Sequence, residues 1–160
     1  HFKSHNRSGT TFYIRLMAAL FVQQVSPEKP LKAKHDEKTR RFSILVVDDD
    51  EAVRFTLAEM LETQEHHVVS VSSGREALLK IGSEHFDIVF TDLGMPGMSG
   101  WEVSQEIRKR SPSTHIIMIT GWGTQLDQQK AAETGVQKIL PKPVSCEEII
   151  NAVRDYTKTL

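Results

Sequence analysis

The chain has 160 residues, 39% of them hydrophobic and 26% charged, with a formal net charge of −1, the make-up of one globular domain with some surplus length. Cys146 is the only cysteine, so an intrachain disulfide is excluded, and the thiol is expected to be inert in a reducing compartment. No run of about 18 or more apolar residues occurs and the stretch 16–22 is too short and lacks signal-peptide flanks, so a cytoplasmic chain without membrane contact is expected.

Residues 1–41 hold nine Lys/Arg against three Asp/Glu, and residues 42–160 hold eleven against eighteen. A basic lead-in therefore precedes an acidic domain. The lead-in has no helix-turn-helix pattern, metal-ligand cluster or aromatic interleaving, which argues against a nucleic-acid partner. Residues 26–41 contain two prolines, dense charge and almost no large apolar side chain, the composition of a linker.

Beyond it, apolar runs alternate with helical periodicity five times. Ser43 to Val47, Val68 to Val71, Phe86 to Thr91, His115 to Thr120 and Lys138 to Leu140 are rich in Ile and Val and bounded by Asp, Gly or Pro, which predicts buried strands. Between them, Val53, Leu57, Met60 and Leu61 form one core-facing stripe; Ala77, Leu78 and Ile81 a second; Val103 and Ile107 a third; Ile149, Ile150 and Val153 the last. The fourth helix, about 125–134, rests on Leu126 and alanines. Asp50 has the place of a helix N-cap. Trp101 is expected to pack at the start of the third helix, and the seven scattered histidines to lie at the surface without a zinc pattern.

Strands separated by helices imply a doubly wound five-stranded parallel α/β sheet covered on both faces, because parallel neighbours need right-handed crossovers. Ligand sites in such sheets lie at the carboxyl ends of the strands. Asp48, Asp49 and Asp50 end the first predicted strand, Asp92 the third and Thr120 the fourth, and Lys142 follows the fifth. Clustered carboxylates are most simply offset by a hard divalent cation, and a sparse acidic pocket suits Mg2+. Asp92, followed by the slender loop 93–100, can act as a nucleophile toward phosphorus. Lys142 would then pair with the phosphoryl group while Thr120 donates a hydrogen bond to it.

Ile44-Leu45-Val46-Val47-Asp48-Asp49-Asp50-Glu51, Asp92 with Met95-Pro96 and Gly100, Ile119-Thr120-Gly121 and Leu140-Pro141-Lys142-Pro143 together resemble the successive signatures of bacterial response-regulator receiver domains, over about 120 residues in the family's order. The resemblance implies a flavodoxin-like fold of strand order 2-1-3-4-5 and a phosphorelay function, with Asp92 receiving phosphate from a histidine kinase or histidine phosphotransfer domain. It also implies Asp49, Asp92 and the Gly94 carbonyl as direct Mg2+ ligands, Asp48 acting mainly through water, Thr120 and Lys142 as switch residues, and a cis bond before Pro143. Ile139 stands where the family usually carries Tyr or Phe. Trp122 occupies a position that tunes water access to the phosphoryl group.

Ser8-Gly9-Thr10-Thr11-Phe12-Tyr13-Ile14-Arg15-Leu16 resembles the closing strand of the ATP-binding domain of sensor histidine kinases. That resemblance implies a remnant of that domain over 1–25, the linker over 26–41 and a receiver over 42–160, as in a hybrid kinase. No kinase activity is expected of so small a remnant, and its strand through Leu16 would pair with a second copy or refold as a helix through Phe21. With no output domain after Leu160, a relay or regulatory role is expected. Two other readings stay open: a haloacid dehalogenase-type phosphatase using the same acidic run, and a receiver-like binding module that never takes phosphate.

Overall fold

The computed structural model describes residues Lys3–Ser4, Thr10–Thr11, 40–121 and 128–159. The chain divides into two units, His1–Glu37 and Lys38–Leu160. In the first, Lys3 pairs with Thr11 and Ser4 with Thr10 in a short antiparallel ladder. The strand expected to run on through Leu16, the alternative helix through Phe21 and residues 26–39 of the linker lie outside the described residues.

The second unit alternates strands β1 (Ser43–Val47), β2 (His67–Val71), β3 (Ile88–Asp92), β4 (His115–Thr120) and β5 (Lys138–Pro141) with helices α1 (Glu51–Glu62), α2 (Gly74–Ser83), α3 (Gly100–Arg110), α4 (Gln128–Thr134) and α5 (Cys146–Thr157). The strands form one parallel sheet in the order β2-β1-β3-β4-β5, the topology expected from the sequence. Its central strands are continuous apolar runs because both faces are covered. Ile44 and Val46 of β1 enter a core with Leu57 and Leu61 of α1 and Ile149, Ala152 and Val153 of α5. Leu45 and Val47, one residue out of phase, enter another with Ala77 and Ile81 of α2, Val103 and Ile107 of α3, and Ala131 of α4.

Strand boundaries shift slightly from the sequence reading. β3 starts at Ile88 rather than Phe86 and runs on to Asp92. Phe86 drops wholly into the core, while the Asp87 carboxylate accepts the Ser43 N–H at 2.8 Å. In α4, Ala131 is buried as its stripe requires, whereas Leu126 lies outside the described residues.

Side-chain caps fix the turns that leave the sheet. Asp50 accepts from the N–H groups of Ala52 and Val53 at the start of α1. Ser99 and Ser145 form reciprocal capping boxes with Glu102 and Glu148 on α3 and α5, satisfying donors that a helix start leaves open. Trp101 is buried, as its packing role required, with the Lys130 ammonium 5.5 Å from its ring centroid.

His66 departs from the expectation of surface histidines. It is buried, its Nδ1 accepts the Phe42 N–H at 3.4 Å, and its ring lies 5.7 Å from that of Phe42. Burial pushes its pKa below the ordinary imidazole value. The turn between α1 and β2 folds the ring inward, and periodicity does not reveal such a turn.

Two glycines of α2 make opposite demands. A Cβ on Gly74 would stand 2.4 Å from Val103 Cγ2, whereas one on Gly82 would meet nothing within 4 Å. Val103 is stiff at χ1 and fully buried, so it cannot yield. Gly74→Ala is expected to destabilise by about 1–3 kcal/mol through overpacking, and Gly82→Ala to stabilise by about 0.5–1 kcal/mol through helix propensity. Denaturant unfolding of both variants checks the pair, and shifts of the same sign would contradict it.

Candidate functional site

The parallel register delivers the predicted residues to one edge. Thr91 pairs with Val47, Asp92 with Ile119 and Thr120 with Pro141. The residues next along, Asp48 and Lys142, therefore leave their strands at the same level as Asp92 and Thr120. The Lys142 N–H donates to the Thr120 carbonyl at 2.7 Å, and the Lys142–Pro143 peptide is cis, as the resemblance implied.

The Lys142 ammonium lies 2.7 Å from Asp92 Oδ1 and 3.0 Å from Asp48 Oδ2. Both carboxylates are nearly withdrawn from solvent, while 28% of the lysine side chain is exposed. Burial pulls the lysine pKa down, but hydrogen bonds to Asp92 and Asp48 and the charges of both outweigh it, so the group is held above its ordinary value. The ammonium thus remains charged and offsets the repulsion of two facing carboxylates.

Every polar atom of Asp48 is engaged. Its N–H donates to Val71 O at 3.3 Å, Oδ1 accepts from the Asp50 N–H at 2.9 Å and Oδ2 receives Lys142. Its carbonyl accepts from Arg54 Nη1 at 2.7 Å. The sequence reading did not single out Arg54. The available signal was an arginine one turn into a helix, whose side chain leans back toward the N-terminus.

Asp92 is held on both carboxylate oxygens. Oδ2 accepts the Gly94 N–H at 2.5 Å, and Thr91 Oγ1 donates to the Asp92 carbonyl at 3.1 Å. The following loop turns back on itself, with Gly100 N–H donating to Leu93 O at 3.0 Å. A Cβ at Gly100 would fall 2.3 Å from the Asp92 carbonyl oxygen. The start of α3 therefore seats against the backbone of Asp92 only because residue 100 has no side chain.

Thr120 is buried at the end of β4. Ile139 of β5 is half-buried against the core on the α2, α3 and α4 side, an aliphatic side chain in the place of the family's ring. Trp122 lies outside the described residues. Asp49 is exposed, and no side chain among the described residues donates to its carboxylate.

Among the described residues, no three His, Cys, Asp or Glu side chains close into a metal cage. At this edge the described residues bring together the carboxylates of Asp48 and Asp92, and Asp49, next in sequence to Asp48, is exposed. That sparse, hard donor set fits Mg2+, which keeps much of its water shell, better than Zn2+ or Ca2+.

A family model described as the response regulator receiver domain matches residues 44–154. Transcriptional regulatory protein ResD of Bacillus subtilis (strain 168) is 33% identical over 118 residues, covering 74% of this chain and 49% of ResD. This chain thus spans about half the length of that relative. Sensor protein EvgS of Escherichia coli (strain K12) is 28% identical over 145 residues, 91% of this chain and 12% of EvgS. The solved structure of response regulator protein TrrA from Thermotoga maritima in complex with Mg(2+)-BeF has a TM-score of 0.66 at 32% identity, covering 71% of this chain and 97% of that one.

Removing the ammonium would leave two buried carboxylates facing each other. Lys142→Met is expected to lower stability at neutral pH by about 1–3 kcal/mol, below the range for a fully buried pair because the lysine is partly exposed. Denaturant titration of the variant and the wild type at neutral pH measures this, and a variant as stable as the wild type would contradict the assignment.

Proposed function

Because the chain belongs to the response regulator receiver family, with residues 44–154 matching the family model, we propose that Asp92 is its phosphoacceptor, taking a phosphoryl group from a phosphohistidine in two-component signalling. The observation that carries this reading is the single ammonium of Lys142 shared by Asp92 and Asp48 at the carboxyl edge of the sheet. The donor is a histidine kinase or a histidine phosphotransfer domain.

In the proposed reaction a carboxylate oxygen of Asp92 attacks phosphorus, and the bond from phosphorus to the imidazole nitrogen breaks. The product is an acyl phosphate. Asp92 already has its carboxylate oriented by the Gly94 N–H, so little rearrangement precedes attack. Lys142 follows the negative charge from the carboxylate to the phosphoryl oxygens, and the Thr120 hydroxyl donates to one of them. Asp48 keeps the pocket acidic and retains Lys142 when phosphate departs. Asp48, Asp49, Asp92 and the Gly94 carbonyl would hold Mg2+, which supplies neutralisation of charge between the acidic pocket and the incoming phosphoryl group.

The family assignment displaces the dehalogenase-type phosphatase reading, and the paired Lys142 and Asp92 argue against a module that only binds. For the rest of the chain, we take residues 42–160 as the receiver, 26–41 as a linker and 1–25 as the last part of a kinase ATP-binding domain. The likeness to EvgS supports this hybrid arrangement, since it extends beyond the stretch the receiver model matches. No helix among the described residues is long and apolar enough to cross a membrane.

Incubation with acetyl phosphate and Mg2+, followed by intact mass, is expected to add one phosphoryl group to the wild type and none to Asp92→Asn. An added group that persists in the variant would remove Asp92 from its role. Trp122 is proposed to shield the acyl phosphate, so Trp122→Ala should shorten its lifetime several-fold by admitting water. Decay of the phosphorylated mass after donor removal measures this, and an unchanged lifetime would dismiss the shielding role.

A further inference from the structure

We infer that Arg54 is a positioning residue for the Asp49 carboxylate, and through it for Mg2+ binding. The inference rests on the reading of the acidic edge given above. Arg54 Nη1 donates to the Asp48 carbonyl at 2.7 Å and lies 3.5 Å from the Asp49 carbonyl. Those two carbonyls belong to the peptide units on either side of the Asp49 Cα. The second unit is also tied at its other end, where the Asp50 N–H donates to Asp48 Oδ1 at 2.9 Å.

Asp48 needs no such help, because its carboxylate is fixed directly by Asp50 and Lys142. Asp49 has no side-chain partner among the described residues and is exposed, so the direction of its carboxylate is governed by its backbone. The guanidinium clamps that backbone on both sides. It forms no ion pair with either aspartate, its hydrogen bonds going to main-chain oxygen instead. Arg54 itself is anchored in α1, its N–H donating to Asp50 O at 2.9 Å. The helix thus reaches back to hold the loop that starts it.

Charge and positioning make opposite predictions. A cation near an acidic pocket repels Mg2+, so its loss alone would tighten binding. Loss of a group that orients a ligand weakens binding, typically by tenfold or more when the ligand's supporting hydrogen bonds are removed. Arg54→Met removes the charge and the donors together, so the sign of the change decides.

The test is a Mg2+ titration of the full chain, followed by amide chemical shifts, for the wild type and Arg54→Met, with thermal unfolding as the control for fold. The expected result is affinity weaker by about tenfold in the variant, with the Mg2+ requirement for labelling by acetyl phosphate rising in step. Unchanged or tighter binding would overturn the inference. A wild type that fails to bind Mg2+ would instead overturn the reading of the site itself. If Arg54→Met does not fold, Arg54→Lys carries the test, since it keeps the charge but cannot span both carbonyls. An affinity weaker than that of the wild type supports the role, and one equal to wild type overturns it.

Discussion

Lys142 Nζ is shared between Asp92 at 2.7 Å and Asp48 at 3.0 Å, and the site depends on that shared cation. Two carboxylates withdrawn from water repel each other unless a positive charge lies between them. The three residues come from the ends of β1, β3 and β5, which do not all neighbour one another in the sheet. Only a parallel sheet with every carboxyl end on one edge brings them together, and β4 separates β3 from β5. The lysine reaches across that strand, with its main chain tied to Thr120 O. Topology and electrostatics are therefore a single constraint, since a change in strand order would strand the acids without their cation.

Much of this was legible in the sequence because the relevant patterns are local. The run Ile44-Leu45-Val46-Val47 marks a strand buried on both faces, and its alternate residues do enter two separate cores. Asp50 stands where a helix must begin, and it caps α1. Once the strands were placed, the rule for carboxyl ends put Asp48, Asp92, Thr120 and Lys142 on one edge without any knowledge of side-chain directions. Gly100 belonged to a recognised motif, but the reason for it emerges only in three dimensions, from the approach of the α3 backbone to the carbonyl of Asp92.

What escaped the sequence depends on how side chains return across elements. His66 is polar, follows the end of a helix and belongs to no periodic pattern, yet the turn carries it inward to accept the Phe42 N–H. Arg54 sits on a helix where a solvated arginine would be unremarked, and its contact is with main-chain oxygen, which no residue type advertises. Lys142 was expected to face the incoming phosphoryl group. In the unphosphorylated chain it is spent on Asp48 as well as Asp92, and composition cannot apportion one ammonium between two acids.

That division of one cation bears on how phosphorylation would be felt elsewhere in the domain. An acyl phosphate carries about −2 where the carboxylate carried −1, and its charge lies farther from the backbone than Asp92 Oδ1. If Asp92 is phosphorylated as proposed, the ammonium, kept charged by its two partners, would be drawn outward and would loosen its hold on Asp48. Because the Lys142 N–H is bonded to the Thr120 carbonyl, such a shift of the side chain would load the junction of β4 and β5 through the main chain. Ile139, two residues before Pro141 in β5, packs half-buried on the face covered by α2, α3 and α4. It has no polar atom to exchange partners, so it can answer only by repacking. Under the proposed phosphorylation of Asp92, that face would respond by shape, with Thr120 and Lys142 as the proposed polar contacts of the phosphoryl group.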